Sequence, residues 1–497
     1  MLTKSDFLKY TQCYKALWLY KYRKDLLPKE LDSAMQRIFD EGYKVEDVAY
    51  KLFPGGVDAF DSDISVAIAN TKKLIAAKEK IIFQPTISNW KLFCRADIIK
   101  LNPKTGKWDI YEVKSSTQVK DIHLIDLAFQ KICFEENRMK IGRLFLVHVN
   151  NKYVRHGEID PKKLIQIEEI TEGVQALIKD VGLDIQSAHK VLDRKTEPDV
   201  KILKQCYRPY TCDFIDYCWR NIPEDSIYDI IGGLSKNKLE LLLDQGILQI
   251  KDIPDGIITN EKKLKQLNAA KTKKVFIDAK AIKKELSVLK YPLYFLDYET
   301  YSTAVPLLDG YRPYQRITFQ YSLHVKKSPD AKLQHYQYLC PKLIDPTEEL
   351  SKALSDVIGS KGSVIAWNMG FEMGCNEEMA ERNKKYAKFF KSLNDRMYDL
   401  MESFKKGYYV HKDFKGSASL KAVLPVVVPK LSYGKLNIQE GNAASESWPI
   451  LTNPSISQEE GDKLTKDMLD YCQLDTLAMV EILEELKKLI QKINTNI

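Results

Sequence analysis

A predicted β-hairpin within residues 91–114 constrains the fold most strongly. Two apolar, β-prone runs flank residues 102–106, whose Asn, Pro and Gly are typical of a turn. Strand side chains alternate between faces, so Glu112 and Lys114 share one face, and Asp97 on the partner strand lies beside them. Two carboxylates can hold a hard divalent cation, and a lysine can orient water or stabilise phosphate charge. The alternative is a solvated hairpin face that carries the same residue types.

The length of 497 residues is enough for two or three domains. We predict an N-terminal domain over residues 1–221, a helical connector over 222–290 and a C-terminal domain over 291–497. With 44% hydrophobic and 29% charged residues, the composition is that of a globular protein. The net charge of +8 permits a nucleic-acid partner without requiring one.

The chain has no apolar run long enough to cross a bilayer, and its first residues do not resemble a signal peptide. We therefore expect a cytoplasmic protein without a membrane partner. In a reducing compartment, the nine cysteines are not expected to form disulfides. Five of them lie in apolar contexts and are expected to be core residues: Cys94, Cys133, Cys340, Cys375 and Cys472.

Helical and strand patterns surround the predicted hairpin. Apolar periodicity predicts helices over residues 33–52 and 122–137, which contain Glu46 and Gln130, and a buried strand over Ile141–Val149. The resulting α-β-β-α-β order, with Asp…Glu-x-Lys on the hairpin, resembles the restriction-endonuclease-like core of RecB-family PD-(D/E)XK nucleases.

The RecB resemblance implies an α/β nuclease domain and a role for each candidate residue. Asp97 and Glu112 would bind Mg²⁺ or Mn²⁺, and Lys114 would act beside them. Glu46 and Gln130 occupy the positions of the helical Glu and Gln that complete the catalytic site in that family.

Three further cysteines, Cys206, Cys212 and Cys218, follow the nuclease core with five residues between successive members. Cys13, within a helix predicted over residues 1–30 and capped by Ser5, is the candidate for a fourth ligand. One N-terminal and three C-terminal cysteines resemble the iron–sulfur nucleases of the AddB type and of CRISPR adaptation. The resemblance implies a [4Fe–4S] cluster that joins the two ends of the domain.

Two alternatives to the iron–sulfur cluster remain open. The first is Zn²⁺, although zinc ligands commonly pair with about two to four residues between them. The second is a set of buried thiols without a metal. In the connector, residues 239–253 resemble half of a helix-hairpin-helix, which binds DNA phosphates; a helical linker without a ligand is the alternative.

The C-terminal region carries acids in three separated segments. Asp297 and Glu299 end an apolar strand and share one of its faces. Glu372 lies at the start of a helix that follows a second buried strand. Tyr471 and Asp475, four residues apart, share one face of a long amphipathic helix.

These segments resemble the motifs of DEDD exonucleases, which have the DnaQ-like, ribonuclease-H-type fold. The resemblance implies that the four carboxylates hold two Mg²⁺ or Mn²⁺ ions about 4 Å apart, while Tyr471 orients the attacking water. Glu372 stands where this family has Asp, and Asp399 is the metal ligand if Glu372 is not. Lys421 is a candidate phosphate contact, with a solvated lysine as the alternative.

Together the resemblances indicate an uncharacterised bacterial family that fuses a RecB-like iron–sulfur nuclease to a DEDD exonuclease. We expect metal-dependent hydrolysis of phosphodiester bonds, in DNA more than in RNA, at single strands or ends, in DNA repair or antiviral defence. One alternative is an RNA 3′-exonuclease that uses only the DEDD domain. Another is a catalytically inactive nucleic-acid-binding scaffold. The sequence does not identify a protein partner.

Overall fold

A computed structural model of the protein describes residues 1–28 and 33–495. It has a mixed α/β architecture, which confirms the α/β class expected from the sequence. The chain divides into two compact units. The first comprises Met1–Asn221 with Ser302–Gln315, and the second Ile222–Tyr301 with Arg316–Ile497.

The first unit contains a six-stranded mixed sheet and a three-stranded sheet. Its strands are β1 (Leu2–Thr3), β2 (Val57–Asp58), β3 (Ile81–Phe83), β4 (Thr86–Ser88), β5 (Leu92–Arg95), β6 (Ile98–Leu101), β7 (Trp108–Lys114), β8 (Ile141–Val149) and β9 (Ile165–Glu169). Its helices are α1 (Lys4–Gln12), α2 (Tyr14–Tyr22), α3 (Ser33–Tyr50), α4 (Ile64–Ala76), α5 (Asp121–Glu136), α6 (Pro161–Leu164), α7 (Thr171–Leu192) and α8 (Ile215–Trp219). The strand orders are β2-β3-β6-β7-β8-β9 and β1-β5-β4.

The predicted hairpin forms between β6 and β7, which pair antiparallel, while β7 pairs parallel with β8. The first predicted strand, however, is two strands in two sheets: β5 pairs with β1 and β4, and β6 pairs with β3 and β7. The change of sheet occurs at Asp97, whose carbonyl accepts a hydrogen bond from the Gln84 N–H at 2.9 Å. Asp97 therefore lies at the joint between the sheets.

The single helix predicted over residues 1–30 is wrong, because α1 and α2 are separated at Cys13. Cys13 has extended backbone angles, φ −162° and ψ 116°. Thr3, not Ser5, caps α1: the Thr3 hydroxyl accepts from the Asp6 N–H, and the Asp6 carboxylate accepts from the Thr3 N–H. This reciprocal capping box fixes Lys4 as the first helical residue.

Aromatic packing holds α1 against α5 in the core of the first unit. Phe7, Phe129 and Phe134 are fully buried, and the rings of Phe7 and Phe129 stack with centroids 5.0 Å apart. Burying side chains of this size is the main favourable contribution to such a core. The contact brings the start of α1 beside the helix that carries Gln130.

The second unit is built on a five-stranded sheet. Its strands are β10 (Phe276–Ile277), β11 (Leu293–Tyr301), β12 (Ile317–Lys326), β13 (Gln334–Leu339), β14 (Ser363–Ala366), β15 (Met397–Asp399) and β16 (Tyr409–Val410). Its helices are α9 (Lys236–Asp244), α10 (Glu261–Thr272), α11 (Ala279–Leu286), α12 (Thr347–Val357), α13 (Gly370–Arg382), α14 (Ala387–Asn394), α15 (Glu402–Lys405), α16 (Leu420–Val427), α17 (Gly441–Leu451) and α18 (Gln458–Thr495). The sheet order is β13-β12-β11-β14-β15, and β10 pairs with β16.

The sheet of the second unit is antiparallel on one side of β11 and parallel on the other. Helix α18 packs on β12 through buried polar contacts. The hydroxyl of Thr476 lies 2.7 Å from the Ser322 hydroxyl and 2.8 Å from Nδ1 of His324. The Gln320 amide donates to the Met468 carbonyl at 2.8 Å. These contacts fix which turn of α18 faces the sheet.

Candidate functional site

The structure brings most of the predicted RecB-like residues, together with Asp126, into one largely buried group. It is here called the hairpin site and comprises Asp97, Glu112, Lys114, Asp126 and Gln130. The Lys114 ammonium lies 2.6 Å from Oε1 of Glu112 and 3.0 Å from Oδ2 of Asp126. The Gln130 amide donates to Oε2 of Glu112 at 2.7 Å and to Oδ1 of Asp126 at 2.9 Å. Helix α5 and strand β7 are thus linked through these polar side chains.

Asp97 and Glu46 lie at the edge of the hairpin site. The Val113 N–H donates to Oδ2 of Asp97 at 2.6 Å, so the carboxylate is tied to β7. Burial, and then the Glu112 charge, raises the pKa of Asp97. Burial also raises the pKa of Glu46, whose carboxylate accepts hydrogen bonds from Tyr50 and Gln84 and is further repelled by Glu112.

Glu112 differs from its acidic neighbours in its protonation preference. Burial opposes its charged form, but the ammonium groups of Lys114 and Lys4 outweigh that cost and hold the pKa of Glu112 below its ordinary value. The site therefore contains Glu112, whose pKa is lowered, next to Asp97 and Glu46, whose pKa values are raised. Such a group can exchange protons for a divalent cation.

The second site, here called the acidic site, comprises Asp297, Glu299, Glu372, Cys472 and Asp475. Among the residues that the structure describes, Asp297, Glu299 and Cys472 are the one group of three or more potential ligands whose donor atoms all lie within 4.8 Å of one another. The Cys472 thiol donates to Oδ2 of Asp297 at 3.3 Å. Burial and then the Asp475 charge raise the pKa of both Asp297 and Glu299.

Helix α18 contributes Asp475 and Tyr471 to the acidic site. The Tyr433 hydroxyl donates a hydrogen bond to Oδ1 of Asp475. Burial raises the pKa of Asp475 to about 6, against the opposing effect of hydrogen bonds from Tyr433 and Tyr471. The predicted i,i+4 pair on this helix therefore faces the strand that carries Asp297 and Glu299.

Glu372 lies in the same charged environment, with only 2% of the residue exposed. Burial, and then the charge of Asp399, raises its pKa to about 8. In the described chain, Oε2 of Glu372 is buried without a hydrogen-bond partner. A buried carboxylate oxygen without a donor is costly unless a proton or a cation satisfies it.

Asp399 and Lys421 have protein partners next to the acidic site. Oδ1 of Asp399 accepts from the N–H groups of Asn368 and Met401, both at 3.0 Å, and so shapes the loop before Glu372. The Lys421 ammonium donates to the Gln439 carbonyl at 2.6 Å and pairs with Glu440 at 2.6 Å. Lys421 is thus not a freely solvated lysine, and a phosphate would have to share it with these acceptors.

The four cysteines predicted to bind a metal line one cavity in the first unit: Cys13, Cys206, Cys212 and Cys218. Burial raises the pKa of the last three thiols, and the neighbouring sulfur charges add to the effect. No three of the four sulfur atoms lie within 4.8 Å of one another in the described chain. Around a tetrahedral Zn²⁺, with Zn–S bonds of about 2.3 Å, sulfur atoms are about 3.8 Å apart.

Sequence reasoning missed four side chains of these sites. It gave no role to Lys4 and none to Asp126, although Asp126 lies four residues before Gln130, a spacing that puts both on one helix face. Cys472 is buried, as predicted for a core cysteine, but its sulfur also lies beside the carboxylates of Asp297 and Glu299, a contact that the sequence did not indicate. Tyr433 had no local signal, since its partner Asp475 is 42 residues away.

In the absence of metal, we expect the second unit to lose stability as the pH rises from about 4.5 to about 8. In this range Glu372 keeps its proton in the folded state, where its pKa is about 8, but loses it in the unfolded state, where the pKa is 4.5. Each such proton makes the free energy of unfolding fall by about 1.4 kcal/mol per pH unit. Asp475 adds to the slope between pH 3.8 and about 6.

Denaturant unfolding in EDTA at several pH values measures this slope. Glu372→Gln should flatten the profile above pH 6, and saturating Mn²⁺ should flatten it in the unsubstituted protein by replacing the proton. A profile that Glu372→Gln leaves unchanged would contradict the assignment.

Comparisons with known proteins found a similarity to a protein family, over a stretch that lies mostly in the second unit. Residues 294–419 match the profile of DUF2779, a domain of unknown function. That stretch includes Asp297, Glu299, Glu372 and Asp399, whereas Tyr471 and Asp475 lie beyond it.

Three uncharacterized proteins from Mycoplasma and Ureaplasma species are similar to part of this chain. It is 24% identical over 243 residues to the uncharacterized protein MG366 of Mycoplasma genitalium, covering 46% of this chain and 36% of the relative. The Mycoplasma pneumoniae homolog of MG366 is 26% identical over 213 residues, covering 39% and 32%, respectively. The uncharacterized protein UU173 of Ureaplasma parvum is 27% identical over 226 residues, covering 41% and 32%. The chain thus spans about a third of the length of these curated relatives.

A separate finding concerns membranes. None of the helices in the described ranges combines the length and the apolar character needed to cross a bilayer.

Proposed function

We propose that the protein is a metal-dependent nuclease that hydrolyses phosphodiester bonds, preferentially in DNA. One observation carries the proposal: the donor atoms of Asp297, Glu299 and Cys472 all lie within 4.8 Å of one another. The charges of Asp475 and Glu372 are also close enough to raise the pKa of Asp297. Three of these four acids are buried, and such a group destabilises a fold unless cations or protons neutralise it.

Divalent cations fit the acidic site. Carboxylate oxygens are suitable ligands for Mg²⁺ or Mn²⁺, and Oε2 of Glu372 has no hydrogen-bond partner in the described chain. Asp297, Glu299, Glu372 and Asp475 would hold the ions, with Asp399 as a substitute. When bound, such ions supply a nucleophilic water and neutralise charge on the phosphate. Tyr471, which shares a helix face with Asp475, would orient the attacking water.

The hairpin site supports a second nuclease centre of the RecB type. Asp97 and Glu112 would hold Mg²⁺ or Mn²⁺, and Lys114, whose ammonium contacts Glu112, would stabilise charge on a phosphate. Gln130 contacts Glu112 with its amide nitrogen, while its Oε1 is buried without a partner in the described residues. An unsatisfied acceptor at this position fits a site that completes its contacts with a cation or water.

The thiol cavity fits a soft metal centre. Four thiol side chains suit either a [4Fe–4S] cluster or Zn²⁺, and their separation favours the larger iron–sulfur group over a single ion. Bound there, a cluster would join Cys13, near the start of the first unit, to the Cys206–Cys218 region near its end. It would supply stability rather than take part in hydrolysis.

The proposed substrate and cellular setting rest on more general properties. The net charge of +8 suits a polyanion, and the family resemblances favour DNA strands or ends as substrate, in repair or antiviral defence. The cysteines are free thiols, which suits the cytoplasm, where thiols stay reduced.

Digestion of end-labelled substrates tests the proposal. Single- and double-stranded DNA and RNA of the same sequence would be incubated with the full chain in Mg²⁺, in Mn²⁺ and in EDTA. We expect cleavage of DNA with either cation and none in EDTA. A ladder that shortens from one labelled end would show exonuclease action and its polarity.

Two other results would replace the proposal. Degradation of RNA alone, from the 3′ end, favours an RNA exonuclease that uses the acidic site. Binding of nucleic acid without cleavage under any condition favours a scaffold with inactive sites.

A further inference from the structure

The Lys4 ammonium lies inside the hairpin site, although Lys4 belongs to a different part of the chain. Its Nζ is 2.8 Å from Oε1 of Glu112 and 3.8 Å from Oδ1 of Asp126. Lys114 contacts the same Glu112 oxygen at 2.6 Å. Two ammonium groups therefore meet at one carboxylate oxygen.

Protein groups already occupy both oxygens of Glu112. Oε1 accepts from Lys4 and Lys114, and Oε2 accepts from Gln130. A cation that binds Glu112 must therefore share or displace one of these donors. Lys4 is the natural one to leave, because Lys114 and Gln130 each also bridge to Asp126 within 3.0 Å, whereas Lys4 is 3.8 Å from it.

The charge balance of the site also indicates that Lys4 competes with a cation. Asp97, Glu112 and Asp126, if all are ionised, carry three negative charges, and Lys4 and Lys114 return two positive charges. Glu46 lies close enough to raise the pKa of Asp97, so it adds further negative charge to the same region when ionised. With Lys4 in place, much of the attraction for a divalent cation is already neutralised.

Contacts at the far end of α1 hold the helix in place, and the side chain of Lys4 is partly exposed to solvent. Gln12, at the other end of α1, donates to the carbonyls of Gln205 and Tyr210, both at 2.7 Å, and Lys9 pairs with Asp213. The Lys4 side chain remains 21% exposed. Because part of this side chain already contacts solvent, a cation that displaced the ammonium would require rotation of the Lys4 side chain and no shift of the helix.

We propose that the Lys4 ammonium is an internal counter-ion with which a divalent cation competes at Glu112, so that Lys4 sets the metal affinity of the hairpin site. The inference rests on the proposed function only in assuming that this site binds Mg²⁺ or Mn²⁺. It deepens that function by adding a residue outside the Asp…Glu-x-Lys motif. This residue would set the cation concentration at which the site becomes occupied.

Lys4→Met tests the competition, because Met keeps an unbranched apolar stem and removes the charge. All proteins would carry Asp297→Asn and Glu299→Gln to silence the acidic site. The dissociation constant of Mn²⁺ would be measured by isothermal titration calorimetry and by electron paramagnetic resonance of free Mn²⁺. We expect Mn²⁺ to bind Lys4→Met about tenfold more tightly, because one competing charge has been removed.

Two matched variants separate this effect from a general one. Lys9→Met removes a lysine from the same helix. The partner of Lys9 is Asp213, which lies outside the hairpin site, so this variant should leave the Mn²⁺ affinity unchanged. Lys4→Arg keeps the charge and should bind Mn²⁺ like the parent protein.

The outcomes distinguish failure of the inference from failure of the proposed function. If the parent protein binds Mn²⁺ and Glu112→Gln abolishes that binding, the site is a metal site. In that case an unchanged or weaker affinity in folded Lys4→Met overturns the competition. If the parent protein binds no Mn²⁺, metal-dependent action at the hairpin site fails, and the inference fails with it.

Discussion

Replacing Asp297 by Asn together with Glu299 by Gln is expected to reduce metal-dependent cleavage at the acidic site by about a thousandfold or more. The reason is that both carboxylates leave the group whose donor atoms lie within 4.8 Å of one another, so no cation can be held there in the same way. Rates of product formation from end-labelled DNA under single-turnover conditions measure the loss.

The same double variant should be more stable than the unsubstituted protein in EDTA. Burial and mutual repulsion raise the pKa of Asp297 and of Glu299, so their ionised forms oppose folding at neutral pH. In Mn²⁺ the order should reverse, because only the unsubstituted protein gains stability from the ion. Thermal unfolding in EDTA and in Mn²⁺ shows both effects.

Asp470→Asn is the matched control for loss of a carboxylate near the acidic site. Asp470 lies on α18 next to Tyr471 but pairs with Lys466 at 3.3 Å on the helix surface. It should change neither cleavage nor metal-dependent stability. Full activity in the Asp297→Asn, Glu299→Gln protein would assign cleavage to the hairpin site alone.

Cys13→Ser is expected to remove the metal centre that we propose for the thiol cavity and to destabilise the first unit by about 3 kcal/mol or more. The physical reason is the position of Cys13 at the break between α1 and α2, from which it faces the three cysteines of residues 206–218. Without that ligand, a metal centre would no longer join these two parts of the chain.

Anaerobic purification, metal analysis and the visible absorbance spectrum measure the metal centre. A brown protein with iron and sulfide supports the cluster, and a colourless protein with stoichiometric zinc selects Zn²⁺. Cys133→Ala is the control, because Cys133 is fully buried in the same unit but contacts Cys94 rather than the cavity. It should keep its metal and lose only the packing of one sulfur atom. Unchanged metal content in Cys13→Ser would rule out Cys13 as a ligand.

Local patterns were enough to predict several elements of the two sites. The strand over Ile141–Val149 has the bounds that apolar periodicity indicated. The two-residue repeat of β7 placed Glu112 and Lys114 on one face, where their side chains are in contact at 2.6 Å. The i,i+4 spacing on α18 likewise placed Tyr471 and Asp475 on one face. Each of these relations depends only on residues close in sequence.

Other local predictions were wrong because a tertiary contact overrode the pattern. The apolar run at residues 91–99 looks like one strand, but its two halves pair in different sheets, with Asp97 between them. Helical periodicity continues through Cys13, yet the backbone is extended there. Periodicity reports which face is apolar, whereas the partner strand or cavity decides where the element stops.

The sequence by itself determined which residues carry charge and which share a face of one strand or helix. Only the tertiary structure decided which of those faces meet. Lys4 and Glu112 are 108 residues apart, and Cys472 and Asp297 are 175 residues apart, yet both pairs are in contact. The physical reason is that backbone geometry fixes neighbours within a few residues, while contacts between distant residues depend on how whole helices and sheets pack around a shared core.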